Sequence, residues 1–245
     1  MSTYDSLIVS DAHLGAAPAA GEQAFHDFLV FAGGATRDLV INGDLFDYWF
    51  EYRTVVLSRH FRTLRVLADL VDAGVRVRLV GGNHDSWGGA FLADEIGLEL
   101  IDGPVTTEIG GRICFLAHGD GLGSGDLGYR VLKRVIRSRA ARATFRHVHP
   151  DWADALAGRV SRTRSRHGTE GPGESRSGEL EAHARRTLQA DPSIQLVAYG
   201  HCHVPSLIEV EPGRHYLNTG DWIRHCTWGS VGRDEVRLHR WHGRD

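Results

Sequence analysis

The chain has 245 residues, 42% of them apolar and 24% charged, which fits one large globular domain or two small ones. A net charge of −3 at pH 7 argues against a general nucleic-acid binder, and no nucleic-acid partner is expected. Three widely spaced cysteines, Cys114, Cys202 and Cys226, argue against a disulfide framework and read as reduced thiols of a cytoplasmic protein. The first residues lack the basic start and apolar run of a signal peptide, and no apolar stretch approaches the ~18 residues that span a bilayer. Any membrane contact is therefore expected to be peripheral.

Short runs rich in Val, Ile and Leu alternate with amphipathic stretches. Leu7-Ile8-Val9 predicts a first strand. Phe25, Phe28, Leu29 and Ala32 then share a helical face, with Gly33-Gly34 expected to close the helix. Leu39-Val40-Ile41 predicts a second strand. Phe61, Leu64, Leu67, Ala68 and Val71 share another helical face, closed by Gly74 where a left-handed cap is favoured. Val75 to Val80 follows as a third strand. This alternation marks a parallel sheet covered by helices. From about residue 98 strands dominate: Gly110-Gly111 and Glu211-Pro212-Gly213 read as hairpin turns, and Ile113 to Ala117 and Leu196 to Tyr199 as strands. The last forty residues read as β throughout. Two sheets of mixed strand direction, face to face with helices outside, are expected.

One segment departs from that plan. Residues 121–190 carry 14 Arg or Lys against 7 Asp or Glu, a local balance of +7 that leaves the rest of the chain at −10. Within it Leu127, Val131, Leu132, Val135 and Ile136 form one helical face, while Arg130, Lys133, Arg134 and Arg137 crowd the other. Residues 161–178 hold no aliphatic side chain and no Phe, Tyr or Trp, so a mobile loop is expected there. The chain thus divides into a core, 1–120 and 191–245, and a basic helical insertion, 121–190.

The predicted strands end in polar clusters: Asp11-Ala12-His13, Gly43-Asp44-Leu45-Phe46-Asp47, Gly82-Asn83-His84-Asp85, His118-Gly119-Asp120 and Gly200-His201-Cys202-His203. Open α/β sheets bind ligands outside the carboxyl ends of their strands, so these clusters are expected to converge. Oxygen and imidazole donors without an obligatory thiolate suit Mn, Fe or Zn better than an all-oxygen Ca or Mg cage. Two cations ~3.5–4 Å apart need one shared carboxylate and can activate water for in-line attack on phosphorus. Each cluster alone is weak. Asp-x-His recurs by chance, two histidines at i and i+2 can simply be exposed, and Asn-His-Asp can be an ordinary turn. Five in one order, each after an apolar run, leave the bland reading needing five coincidences. Cys202 lies between two ligands and points to the other side of its strand, so it is expected to be buried. Trp87 and Trp152 read as packing residues rather than substrate platforms, though Trp152, within the insertion, could touch substrate, and His147, His149, His167 and His183 have no ligand spacing.

This ordered set resembles the calcineurin-like metallophosphoesterase superfamily, whose pattern runs D-x-H, G-D-x-x-D, G-N-H-[DE], H, G-H-x-H, over roughly residues 5–120 and 192–245. The resemblance implies an α/β fold, a four-layer α/β/β/α sandwich, and two divalent metal ions, manganese first, with iron or zinc as alternatives. It implies Asp11, His13, Asp44 and His203 around the first metal. Asp44, Asn83, His118 and His201 would surround the second, with Asp44 as the bridge. His84 would contact phosphate and give a proton to the leaving group, and Asp47 would orient it.

A narrower likeness lies in Gly43-Asp44-Leu45-Phe46-Asp47-Tyr48-Trp49, His118-Gly119-Asp120-Gly121-Leu122, Asp126-x-x-Tyr129 and Gly220-Asp221-Trp222. These stretches look like the UDP-2,3-diacylglucosamine pyrophosphatase branch. That likeness implies hydrolysis of a lipid-linked UDP-sugar to 2,3-diacylglucosamine 1-phosphate and UMP, a step of lipid A biosynthesis. The enzyme would be cytoplasmic, peripheral on the inner face of the bacterial inner membrane. It also implies an inserted helical lid where residues 121–190 stand. Asp126, Tyr129, Arg130, Val131 and Ile136 would then meet substrate together with Asn83 and His84, and the basic face would meet an anionic membrane surface. Well-known members of the branch carry Arg at the position of His84, so there the match is to the wider superfamily. Two rivals remain. A soluble metallophosphoesterase acting on nucleotides, phosphodiesters or phosphoproteins would keep the same ligands. A metal-binding scaffold that had lost catalysis should lack a ligand or His84, and neither is missing.

Overall fold

The computed structural model of the chain describes residues 3–85, 87, 89–122, 138–160 and 173–243. In chain order its elements are β1 (Ser6–Val9), α1 (Ala19–Ala35), β2 (Asp38–Asn42), α2 (Phe61–Asp72), β3 (Arg76–Val80), β4 (Glu99–Ile101), β5 (Val105–Ile109) and β6 (Arg112–Leu116). Then come α3 (Arg139–Phe145), α4 (Pro150–Val160), α5 (Gly173–Ala190), β7 (Leu196–Tyr199), β8 (Ser206–Glu211), β9 (Arg214–Asn218), β10 (Thr227–Val231) and β11 (Val236–Arg240).

Side-chain alternation decides the layering. Leu7 and Val9 of β1, Leu39 and Ile41 of β2, and Val77 and Leu79 of β3 pack toward α1 and α2. Ile8, Val40 and Val80 point the other way, onto Cys114, Leu116, Leu196, Ala198 and Leu217 of the second sheet. Strands covered on both faces read as continuous apolar runs, which is how β1–β3 appear in the sequence. The first sheet runs β11-β10-β1-β2-β3-β4, parallel from β1 to β4 and antiparallel at β10 and β11. The second runs β5-β6-β7-β9-β8, parallel across β6-β7-β9 and antiparallel at its edges. On its outer face Leu180, Ala184 and Leu188 of α5, spaced four apart, bury against Val197, Tyr199 and Tyr216. The result is the expected four-layer α/β/β/α sandwich. Asn42 ties its two sheets together, its side-chain amide donating to Ala117 O at 3.0 Å and Ala198 O at 3.2 Å.

Three expectations need correction. Gly33-Gly34 does not close α1, which continues to Ala35. Gly33 instead lets the helices approach, since a Cβ there would stand 2.8 Å from Leu70 Cδ2 of α2. Phe61, expected on the buried face of α2, opens that helix and is 65% exposed. Residues 173–178, expected in a mobile loop, are the first turns of α5, which is held by the apolar residues beginning at Leu180. The stretch without apolar side chains ends at Gly178, and the helix is anchored just past that gap. The expected lid residues Asp126, Tyr129, Arg130, Val131 and Ile136 lie outside the described residues. Among the described residues no helix is long and apolar enough to cross a membrane.

Candidate metal centre

All five motifs lie just past strand ends at one edge of the sandwich: after β1, β2 and β3 in the first sheet, and after β6 and β7 in the second. The backbone bends sharply there. Asp11, His13, Asp44, His201 and His203 have φ of 54°, 45°, 52°, 67° and 63°, the left-handed region that residues with side chains rarely adopt. Such strain persists only where its surroundings over-determine it. Asp11 N–H donates to Gly43 O at 3.1 Å, His13 N–H to Asp44 O at 3.0 Å, and His201 N–H to both Asp11 carboxylate oxygens at 3.0 Å. Two motif glycines make room for ligands: a Cβ would stand 2.1 Å from Asp44 Oδ1 at Gly82 and 2.4 Å from Asp11 Oδ2 at Gly200.

The donor atoms gather in two groups that meet at Asp44. In the first, His203 Nε2 stands 3.1 Å from His13 Nε2 and 3.4 Å from Asp11 Oδ1, and His13 Nε2 stands 3.7 Å from Asp44 Oδ2. In the second, His118 Nε2 lies 3.1 Å from Asp44 Oδ2 and 3.2 Å from Asn83 Oδ1, which is 3.1 Å from His201 Nδ1. Ligand atoms about 2.1 Å from one cation stand about 3.0–3.5 Å apart, so both groups fit a coordination sphere. Asp44 Oδ2 belongs to both. Asp11 and Asp44 are fully buried, and burying carboxylates so closely without a cation would be costly. Burial alone would push Asp44 up, but the His118 and His84 charges outweigh it and hold it well below the usual carboxylate range. Burial, then the His118 charge, depresses His201 to about 4, whereas at His13 and His118 burial is outweighed by the neighbouring carboxylates, which raise the rings, His13 to about 10, so that a cation would have to displace their protons.

His84 sits at the mouth of this cluster, 21% exposed. Its Nδ1 lies 2.7 Å from the backbone carbonyl of Asp47, which can only accept, so Nδ1 carries the proton and Nε2 faces the site. That nitrogen is 4.0 Å from Asp44 Oδ2, and His13, Asp44 and His84 form a third close trio. The Asp47 carboxylate stands 3.7 Å from both His84 Nδ1 and His13 Nδ1.

Several supporting residues carry no role in the sequence reading, although Asp85 and Asp221 fall within its motifs. Asp85 is buried and accepts from Leu45 N–H at 2.7 Å and Gly82 N–H at 2.9 Å, locking the second and third motifs together. Burial and then the Asp44 charge push it up to about 6. Glu51 accepts from the N–H groups of Gly89, Phe91 and Leu92, pinning the loop beyond His84. Asn42 O accepts from His118 Nδ1 at 3.1 Å, and Asp221 Oδ2 stands 3.2 Å from His203 Nδ1. Glu51 and Asn42 carry no motif spacing of their own. Cys202 is buried as expected. Trp87 packs on Phe50 and Phe145, at 5.0 and 5.1 Å between ring centroids, joining α3 to the loops that follow Asp47 and His84. Trp152, by contrast, is 75% exposed on α4 and is not a packing residue, because no element among those described covers that face.

Comparison with known proteins agrees with the geometry. The model of the calcineurin-like phosphoesterase family matches residues 6–205. A Porphyromonas gingivalis protein named UDP-2,3-diacylglucosamine hydrolase is 31% identical over 237 residues, 89% of this chain and 90% of its own. A Ralstonia nicotianae protein of the same name is 31% identical over 88% of this chain and 83% of its own. One from Pseudomonas entomophila is 28% identical over 89% of this chain and 91% of its own.

Proposed function

The chain belongs to the calcineurin-like phosphoesterase family, a family of dinuclear metal-dependent hydrolases, and on that premise we propose that it hydrolyses UDP-2,3-diacylglucosamine to 2,3-diacylglucosamine 1-phosphate and UMP. The observation that carries this substrate is the near full-length likeness to relatives of that name, which runs on both sides of the insertion. Asp11, His13, Asp44 and His203 hold one divalent cation and Asp44, Asn83, His118 and His201 the other, with manganese our preferred metal. When bound, such a pair supplies Lewis-acid polarisation of phosphoryl oxygens and activation of water. Asp44 keeps its charge between the two positions. His84, fixed through Nδ1 by the Asp47 carbonyl, turns Nε2 to the phosphoryl group; protonated, it binds a phosphoryl oxygen and passes its proton to the departing sugar phosphate.

In this reading the basic, apolar-faced part of the insertion is a lid over the acyl chains, with Asp126, Tyr129, Arg130, Val131 and Ile136 against substrate. The enzyme rests on the anionic inner leaflet without crossing it. Val131→Asp or Ile136→Asp tests this. Each buried methylene contributes about 0.8 kcal/mol, so a charge among the chains should sharply cut turnover of the diacylated UDP-sugar. A small activated phosphodiester should be hydrolysed almost as before. Equal loss on both substrates, or wild-type protein that cleaves the small diester and ignores the lipid in detergent, would remove the lid and its substrate while leaving the metal centre standing.

A further inference from the structure

The histidines of the centre are not braced alike. His118 Nδ1 faces the backbone carbonyl of Asn42 at 3.1 Å, and His84 Nδ1 that of Asp47 at 2.7 Å. His203 instead turns Nδ1 to a carboxylate, Asp221 Oδ2 at 3.2 Å, while its Nε2 looks inward to Asp11 and His13. Asp221 is held in turn. Its Oδ1 accepts the N–H groups of Ile223, Arg224 and His225 at 3.2, 2.8 and 3.0 Å, with the His225 ring at 3.3 Å, which leaves Oδ2 for His203. The neighbouring residues anchor this segment to the ligands and the core. Trp222 N–H donates to Asp11 O at 3.2 Å, and its fully buried indole packs on Phe25 and Phe28. Gly220 N–H donates to Asn218 Oδ1 at 3.0 Å.

We propose that Asp221 is a positioning residue for the first metal position: through His203 Nδ1 it fixes that ring's tautomer and orientation, and so sets the affinity of the Asp11–His13–His203 position relative to the Asn83–His118–His201 position. This rests on the dinuclear reading above. A carboxylate behind a ligating imidazole makes it a better donor and locks the nitrogen presented to the metal, and losing such a partner costs about 10–100-fold in affinity. Backbone carbonyls, weaker acceptors, do this for His118, so the two positions should fill in sequence and not together.

The test is titration of metal-free protein with Mn(II), by calorimetry and by electron paramagnetic resonance. Asp221→Asn keeps Oδ1 for the three N–H groups, so folding should survive, whereas Asp221→Ala orphans them. Wild-type protein should take two equivalents. In Asp221→Asn one of the two affinities should fall 10–100-fold while the other changes less than about threefold, and Asp221→Glu should recover part of the loss. In a His203→Ala background, Asp221→Asn should add nothing. Two equivalents bound by Asp221→Asn with wild-type affinities, equal weakening of both positions, or the same loss with His203 absent would each overturn the proposal. Fewer than two equivalents in wild-type protein would overturn the dinuclear reading itself.

Discussion

The same strands carry opposite designs at their two ends. At the amino-terminal end, Arg78 is buried between the sheets. It pairs with Asp38 and donates to Glu108 O at 3.1 Å, and Ser6 also donates to Asp38, at 2.5 Å. The residues of that network have ordinary backbone, and the Arg78 charge is paired with Asp38 inside the protein, although Arg78 Nε and Asp38 Oδ1 make no hydrogen bond. At the carboxyl-terminal end, five residues of the two donor groups are in the left-handed region and two buried carboxylates face several imidazoles, of which His13 makes no hydrogen bond through Nδ1. One end pairs its charges across the strands, and the other gathers the donor atoms that, in the proposed reading, two cations would complete. Residues at the two ends should therefore fail in different ways.

The largest effect is expected at Asp44, which belongs to both donor groups. Asp44→Ala should lose metal content and turnover together, and near-normal metal stoichiometry in the purified variant would assign the bridge to another residue. His84→Ala should keep both metals while turnover falls about 10²–10⁴-fold, with much of the rate recovered on a leaving group that needs no proton. Loss of metal in that variant would place His84 among the ligands, as its proximity to His13 and Asp44 allows. Arg78→Met probes the opposite end. It strands Asp38, so unfolding free energy should fall by about 3–5 kcal/mol while metal affinity and turnover per folded molecule are unchanged. A changed metal affinity would mean that the two ends are coupled.

The smallest expected effect is a slope. His60 packs at a tilt against Phe46, ring centroids 4.5 Å apart, its Nε2 has no partner, and burial, helped by the Arg59 charge, pushes it down to about 3. The unfolded chain therefore takes up a proton, from about pH 6.5 downward, that the folded chain refuses. The stabilisation is complete above that pH and is lost as pH falls toward 3, by at most about 1.4 kcal/mol per pH unit. In metal-free protein unfolded by urea at pH 7 and pH 5, His60→Phe should flatten this dependence. An unchanged slope would mean that the imidazole takes up its proton as readily in the folded chain as in the unfolded one.

Much of this contrast is legible in the sequence, for physical reasons. A strand buried on both faces must be apolar along its length, so β1, β2, β3, β6 and β7 announce themselves, and the polar residues closing each run mark the functional edge. Gly74 and Gly110-Gly111 are recognisable because their left-handed backbone favours glycine over other residues. What is hidden depends on partners distant in the chain. Gly33 resembles a helix terminator until Leu70 is set against it. Arg78 resembles a surface charge in a strand until Asp38 meets it. Asp221 and Asp85 have no ligand spacing and matter only through His203, Leu45 and Gly82. The left-handed φ of Asp11, Asp44 and His203 is legible only in the fold, because their residue types give no sign of it.

The most direct test of a dinuclear centre bridged by Asp44 is the low-temperature electron paramagnetic resonance spectrum of wild-type protein reconstituted with Mn(II). Two equivalents sharing a carboxylate should give an exchange-coupled spectrum, with hyperfine lines at about half the spacing of a single ion, and Asp44→Ala should abolish it. Two equivalents that remain magnetically isolated, or a single tightly bound ion with full activity, would contradict it.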